Sequence, residues 1–230
     1  MKSLDRRPVF WIAYTLLSIA CLAIAWRVFP QAIPIVHLDI TMTRQQAVDE
    51  ARVLASKLAL APEDVRTAVV FNEDGTTQGY VELEGGGKEA FAKLVAGKAY
   101  APYWWEVRLF KLGVIDETTI RFRPDGARNG FSRRVAETYV RDAAKKALSA
   151  EAALALAKER AQTDWEIDFA SYKLLDQSQQ TRPSGRVDHS FVFEREGALG
   201  EARIRLSLEV SGDELTEVEP FVHLPKLSGK

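Results

Sequence analysis

Cysteine is nearly absent from this chain: the one copy among 230 residues, Cys21, lies inside an uncharged apolar run. The remainder has no thiol with which to close a disulfide or ligate a metal. Histidine is almost as scarce, and His37, His189 and His223 lie far apart, none in an H-x-x-x-H or H-E-x-x-H element, so zinc finds no ligand set. Excess charge is missing as well. The formal net charge is -1, and no basic stripe with interleaved aromatics occurs, which argues against nucleic acid as a partner. Gly85-Gly86-Gly87 precedes Lys88 without the G-x-x-x-x-G-K-[ST] spacing of a phosphate loop and reads as a turn into a helix. No G-x-S-x-G element supports a serine nucleophile. No catalytic residue, metal or cofactor is therefore expected, and the chain reads as a binding protein rather than an enzyme.

Charge is absent again over residues 8–26 (PVFWIAYTLLSIACLAIAW). At ~1.5 Å of rise per residue, one helix over this run reaches roughly 28 Å, close to the hydrocarbon thickness of a bilayer. Lys2, Arg6 and Arg7 stand before the run against Asp5 alone, and Arg27 is the only basic residue between the run and Arg44. The positive-inside bias then keeps the amino terminus cytoplasmic and places the bulk of the chain outside. Phe10 with Trp11, and Trp26 with Phe29, resemble interfacial belts. Ala23-Ile24-Ala25 also fits a signal-peptidase site, with cleavage after Ala25. The length of the run and the lack of a polar stretch before the alanines favour a retained anchor. Beyond residue 29 the chain carries 27 basic against 31 acidic side chains, and its stability must come from a buried core.

A linker over 30–42, marked by Pro30 and Pro34, leads to Thr43. With Gln46 it makes a capping box ahead of Ala47, Ala51, Leu54, Ala55 and Leu58, an amphipathic helix over 43–60. An offset of 106 carries Thr43 to Ser149 and Ala47, Ala51 and Ala55 to Ala153, Ala157 and Ala161. Alternating strand-turn-strand pairs at 120–131 and 206–218 repeat at a shorter offset. The pattern is that of a diverged tandem repeat. The fold class expected is α+β: one N-terminal transmembrane helix followed by two helix-on-antiparallel-sheet units. The expected divisions are 1–29 (cytoplasmic tip and anchor), 30–42 (linker), 43–133 (first unit), 134–148 (linking helix) and 149–226 (second unit). In the first unit, strands are expected at 67–71 and 79–83 about a turn at 72–75, a helix at 88–96, and strands at 104–112 and 119–123. The linking helix carries Val135, Tyr139, Ala143 and Ala147 on one face, and the second unit has strands at 165–180, 187–195, 201–210 and 214–223.

Two clusters are candidate binding residues. Trp104 and Trp105 are consecutive on an expected strand, so they point to opposite faces and one belongs to the surface side, as core packing under a helix or loop or as an interface anchor. The stretch 178–194 combines a Pro/Gly turn with Arg182, Arg186, Asp188 and His189. The arginines could chelate a carboxylate or phosphate, or tie the turn to its neighbouring strand. Asp188 and His189 form a proton-sensitive pair only on a common face, which adjacent strand residues do not share. Phe191 and Phe193 define an apolar side, which His189 shares and Asp188, Ser190, Val192 and Glu194 do not.

The strings YWWEVRLF (103–110), IRFRPDG (120–126), SQQTRPSGRVDHSFVFER (178–195) and LTEVEPFVHLP (215–225), after one amino-terminal membrane helix, resemble the extracytoplasmic amino-terminal region of bacterial CAAX-type (CPBP) intramembrane metalloproteases. The helix-plus-hairpin units resemble PepSY-like modules in a general way. The resemblance implies a polytopic protease of the bacterial inner membrane. That family's Glu-Glu-x-x-x-Arg element and histidine-containing membrane helices are absent here, so no catalytic residue carries over. The chain is expected to be either a truncated protease or a stand-alone relative. It would be an anchored accessory or regulatory domain that binds a protein segment, with a small anionic ligand at Arg182 and Arg186 as the alternative.

Overall fold

The computed structural model describes residues 8–32, 39–62, 64–96 and 100–225. The flank with Lys2, Arg6 and Arg7 and positions 33–38 of the expected linker lie outside the described residues. The chain divides into two compact units, Met1–Asp39 and Ile40–Lys230. The first contains helix α1, Pro8–Ala32, which runs through Pro30, where the linker was expected to begin. Its side chains are exposed on every face from Val9 (73%) to Trp26 (83%), and none of those faces is polar. The stretch Pro8–Val28 is long and apolar enough to cross a membrane.

The second unit is built on one eight-stranded antiparallel sheet. In chain order it comprises α2 (Arg44–Lys57), β1 (Arg66–Glu73), α3 (Gly75–Leu83), α4 (Gly87–Ala96), β2 (Tyr103–Phe110), β3 (Glu117–Phe122) and β4 (Arg128–Arg134). Then follow α5 (Ala150–Trp165), a single 3-10 turn (Phe169–Ser171), β5 (Tyr172–Thr181), β6 (Val187–Leu199), β7 (Ala202–Ser211) and β8 (Glu214–His223). The spatial order is β1-β2-β3-β4-β8-β7-β6-β5. The strands divide into two halves, β1–β4 and β5–β8, which meet where β4 pairs β8 through Phe131–Val218 and Ser132–Glu217. Next to this seam Gly130 has φ +103°, and a Cβ there would collide with the Val218 carbonyl oxygen.

Both long helices start where a cap allows. Gln46 N–H donates to Thr43 Oγ1 (3.3 Å) while Thr43 N–H donates to Gln46 Oε1 (2.8 Å), closing a capping box. Ser149 Oγ accepts from Ala152 N–H at 3.3 Å. Each helix then buries a stripe of alanines, Ala47, Ala51 and Ala55 in α2 and Ala153, Ala157 and Ala161 in α5. Side chains that small let the helix backbones lie close on the sheet. The stripes share one core with Val107, Ile120, Phe131, Leu206, Leu208 and Val218. Trp165 closes α5 by stacking on Phe131, with centroids 4.4 Å apart.

Three expectations differ from the structure. Residues 79–83 form the end of α3 and no strand, because Asp74 Oδ1 accepts the Thr77 N–H (3.0 Å) and starts a helix at the foreseen turn. Buried Val81 faces a small satellite core with Phe91 and Leu94 of α4. The strand placed at 165–180 begins only at Tyr172, since α5 extends to Trp165. No helix occupies 134–148: Ala143 and Ala147 are exposed, so the apolar stripe never becomes a buried face.

Candidate functional site

The polar cluster foreseen at 178–194 is the β5–β6 hairpin and its surroundings. Gly185, at φ +76°, lets the turn close with Gly185 N–H on Arg182 O (2.8 Å) and Arg182 N–H on Arg186 O (2.7 Å). Arg186 is 2% exposed. Its Nε and Nη2 donate to Asp188 Oδ1 (2.6 Å) and Oδ2 (3.0 Å), and its Nη1 donates to the carbonyls of Ala136 (3.0 Å) and Tyr139 (2.6 Å). Arg182 Nε reaches the same carboxylate at 2.6 Å, and its Nη1 lies 3.6 Å from Glu137. Burial alone would raise the Asp188 pKa, but the hydrogen bonds from Arg186 and Arg182 outweigh it and hold the carboxyl below its ordinary range.

These contacts explain why 135–148 is not helical. Its carbonyls are taken by partners on the sheet: Ala136 and Tyr139 by Arg186, Glu137 by Ser184 Oγ (3.0 Å), and Lys146 by Val187 N–H (2.8 Å). His189, 1% exposed, sits beside Phe191 on the core side with its Nε2 3.0 Å from the Leu148 carbonyl. Since a carbonyl only accepts, Nε2 carries the proton. Asp188 lies on the other face, and the two make no proton-sensitive pair.

A second polar group, which no motif announced, extends the same clamp. Arg133 binds Asp116 through Nε (3.1 Å) and Nη2 (2.9 Å) and Glu214 through Nη1 (2.5 Å), while Tyr139 O–H donates to Glu214 Oε2 (2.8 Å). The four residues come from two loops and two strand ends, at spacings that sequence does not reveal. Burial followed by the bond to Glu214 raises the Tyr139 hydroxyl pKa. On the face away from the helices, Glu217 is opposite Glu209 in the β7–β8 register. Burial, with Glu209 second, raises its pKa to about 7.

The tryptophans are divided as strand alternation demands. Trp105 packs at the core, with Nε1 donating to the Met42 carbonyl (3.0 Å) and its ring edge-on to Phe71 at 5.0 Å. Trp104 is half-buried on the opposite side, with Nε1 3.4 Å from Glu106 Oε2. They lie on β2, at the far end of the strand order from the hairpin, so the structure does not bring them to Arg182, Arg186, Asp188 and His189.

The most open strand is β5. As one of the two outermost strands it pairs only with β6, and all residues from 173 to 181 are exposed, Leu174 (41%) and Leu175 (50%) included. A polar depression of about 380 Å³ adjoins it, lined by Ser178, Gln180, Arg182, Asp188, Ser190 and Glu209. Among the described residues, no group of His, Cys, Asp or Glu is placed to hold a metal ion.

No family model matches the sequence. No curated protein matches it either, so the CAAX-type resemblance has no counterpart there. Among solved structures, the C-terminal domain of Bacillus megaterium YpeB is similar, at 14% identity and a TM-score of 0.42, over 77% of this chain and 62% of that one. The chain thus spans less than two thirds of that structure. What stands is an α+β protein whose single N-terminal apolar helix is long enough to cross a membrane.

Proposed function

We propose that the chain is a membrane-anchored, extracytoplasmic accessory domain that acts by binding a protein segment and not by catalysis. The observation that supports this reading is the open strand β5, exposed along nine of its ten residues. An extended segment laid along it would gain a ladder of backbone hydrogen bonds, which needs no reaction centre. The retained anchor and a cytoplasmic amino terminus follow from the uncharged run and the basic residues before it. Association with a CAAX-type intramembrane protease of the bacterial inner membrane rests on the sequence resemblance alone.

The anionic-ligand alternative has less support. Arg186 is buried and its guanidinium already holds Asp188 and two carbonyls, so an incoming anion would have to displace a bidentate carboxylate. A photo-reactive residue in place of Ser178, in the full chain in native membranes, tests the strand reading. Irradiation should give a discrete adduct with a protein, absent when the same residue replaces Gly126 in the β3–β4 turn. Monomer alone at Ser178 would overturn it.

A further inference from the structure

We infer that the segment received by β5 is β5 of a second copy of this chain, paired antiparallel about Gln179. The inference rests on the strand-addition reading above and names its partner.

Edge strands that must stay single carry charges, prolines or bulges along their length. Here such protection is confined to one end. A register shift at Leu175 disturbs the strand near its start. From Gln177 to Thr181 it reads Gln-Ser-Gln-Gln-Thr, without a charge or a proline. These residues are exposed on both faces, because α5 packs on β4, β6, β7 and β8 and leaves the helix side of β5 open.

The backbone supplies the register. The Gln177 N–H is turned to the Asp176 carboxylate (2.9 Å). In an antiparallel strand the groups facing one neighbour come from alternate residues, so the outward set is 177, 179 and 181. Two identical antiparallel edges are related by a two-fold axis perpendicular to the sheet, which must pass beside a residue paired with itself. Centring on Gln179 sets Gln177 opposite Thr181 in both directions and uses the whole outward set, yielding about six backbone hydrogen bonds once each Gln177 N–H turns from Asp176 to the facing strand. Centring on Ser178 yields about four.

The side chains agree with this partner. An apolar peptide would lay hydrophobic groups against Gln177, Gln179 and Thr181. A second β5 brings matching amides and hydroxyls, which pair across strands. In the Gln179 register Asp176 faces Arg182 of the second copy and no like charges meet. Copies confined to one membrane would also meet at high effective concentration.

Cys21 is the only native thiol, so Cys21→Ala gives a cysteine-free background for the full chain. Single cysteines at each position from 176 to 181, in membranes under mild oxidation, read the register. Opposed residues of a hydrogen-bonded pair lie about 5.5 Å apart at Cα, within disulfide reach, while staggered positions do not. Dimer formation should peak sharply at Gln179→Cys and fall severalfold at Ser178→Cys and Gln180→Cys. A peak elsewhere, or equal dimer at all positions, overturns the register. No disulfide anywhere, combined with an adduct of Ser178 to a different protein, overturns the second copy and leaves strand addition standing. Absence of both overturns the two readings together.

Discussion

Arg186 and Asp188, separated by Val187, form a two-pronged ion pair with bonds of 2.6 and 3.0 Å, and the remaining arm of the guanidinium ties down the crossover between the halves. The arginine is therefore a structural clamp. Removing it takes the guanidinium donor from the Tyr139 carbonyl, leaves the Ala136 carbonyl with the Tyr139 N–H, and leaves Asp188 with Arg182 alone. Arg186→Ala should destabilise the protein by about 3 kcal/mol in denaturant unfolding. Phosphate or sulfate should stabilise wild type and variant equally. A wild-type midpoint in the variant, with anion stabilisation lost, would instead assign Arg186 to a ligand.

Two carboxylates give pH dependences of opposite sign. Glu217 has a pKa of about 7 when folded against 4.5 for its ordinary value, so the folded state holds the extra proton between them. Stability is greatest below 4.5 for this group and declines as pH rises through about 7. Asp188 is shifted below 3.8, so its contribution is present above that value and is lost as acid protonates it further down. Glu217→Gln should flatten the decline toward neutral pH and melt higher than wild type at pH 8. An unchanged slope would show that Glu217 is not its source.

His189→Ala removes a buried ring that stacks beside Phe191 and a hydrogen bond to Leu148. Stability should fall by about 1 to 3 kcal/mol. Because the lost bond is to the last residues before α5, hydrogen exchange should quicken around Leu148 and Ser149. Unaltered exchange there would detach His189 from the crossover.

Gly130→Ala places a methyl against the Val218 carbonyl in a backbone conformation that alanine avoids. A loss of about 3 kcal/mol or more is expected, since neither backbone can withdraw without opening the seam. Alanine at Gly75, where nothing lies within 4 Å, serves as the comparison and should be nearly silent. Equal melting of the two variants would show that the seam has room.

Local signals carried most of the fold. The Thr43–Gln46 box, the alanine stripes and the alternation in β6 and β7 are each written within a few neighbouring residues, and each appears in place. Alternation likewise separated His189 from Asp188. The failures have a common cause. Tyr139 continues an i, i+4 apolar series, yet its carbonyl goes to Arg186 and its hydroxyl to Glu214, partners 47 and 75 residues away that outbid a helix. Gly79 and Val81 read as strand because Asp74 suits a turn by its sequence, whereas its side chain caps a helix. The clamp of Arg133, Asp116, Tyr139 and Glu214 was invisible for the same reason. The openness of the edge strand β5 was hidden too, since exposure along both faces depends on where α5 stops.

The narrow seam between β4 and β8 has a mechanical meaning. Only two residue pairs join the halves there, whereas β6 and β7 are laced along nine. Resistance to parting thus falls on the shared core, with Trp165 stacked on Phe131 as a rivet through the joint, and on the ion pairs Arg133–Glu214 and Arg121–Glu219 that cross it. A pull transmitted through the chain at Ile40 enters the first half beside Pro124, to which Thr41 and Met42 are bonded, and would load that joint before the second half. Under tension the sheet should fail in two steps, divided at Gly130.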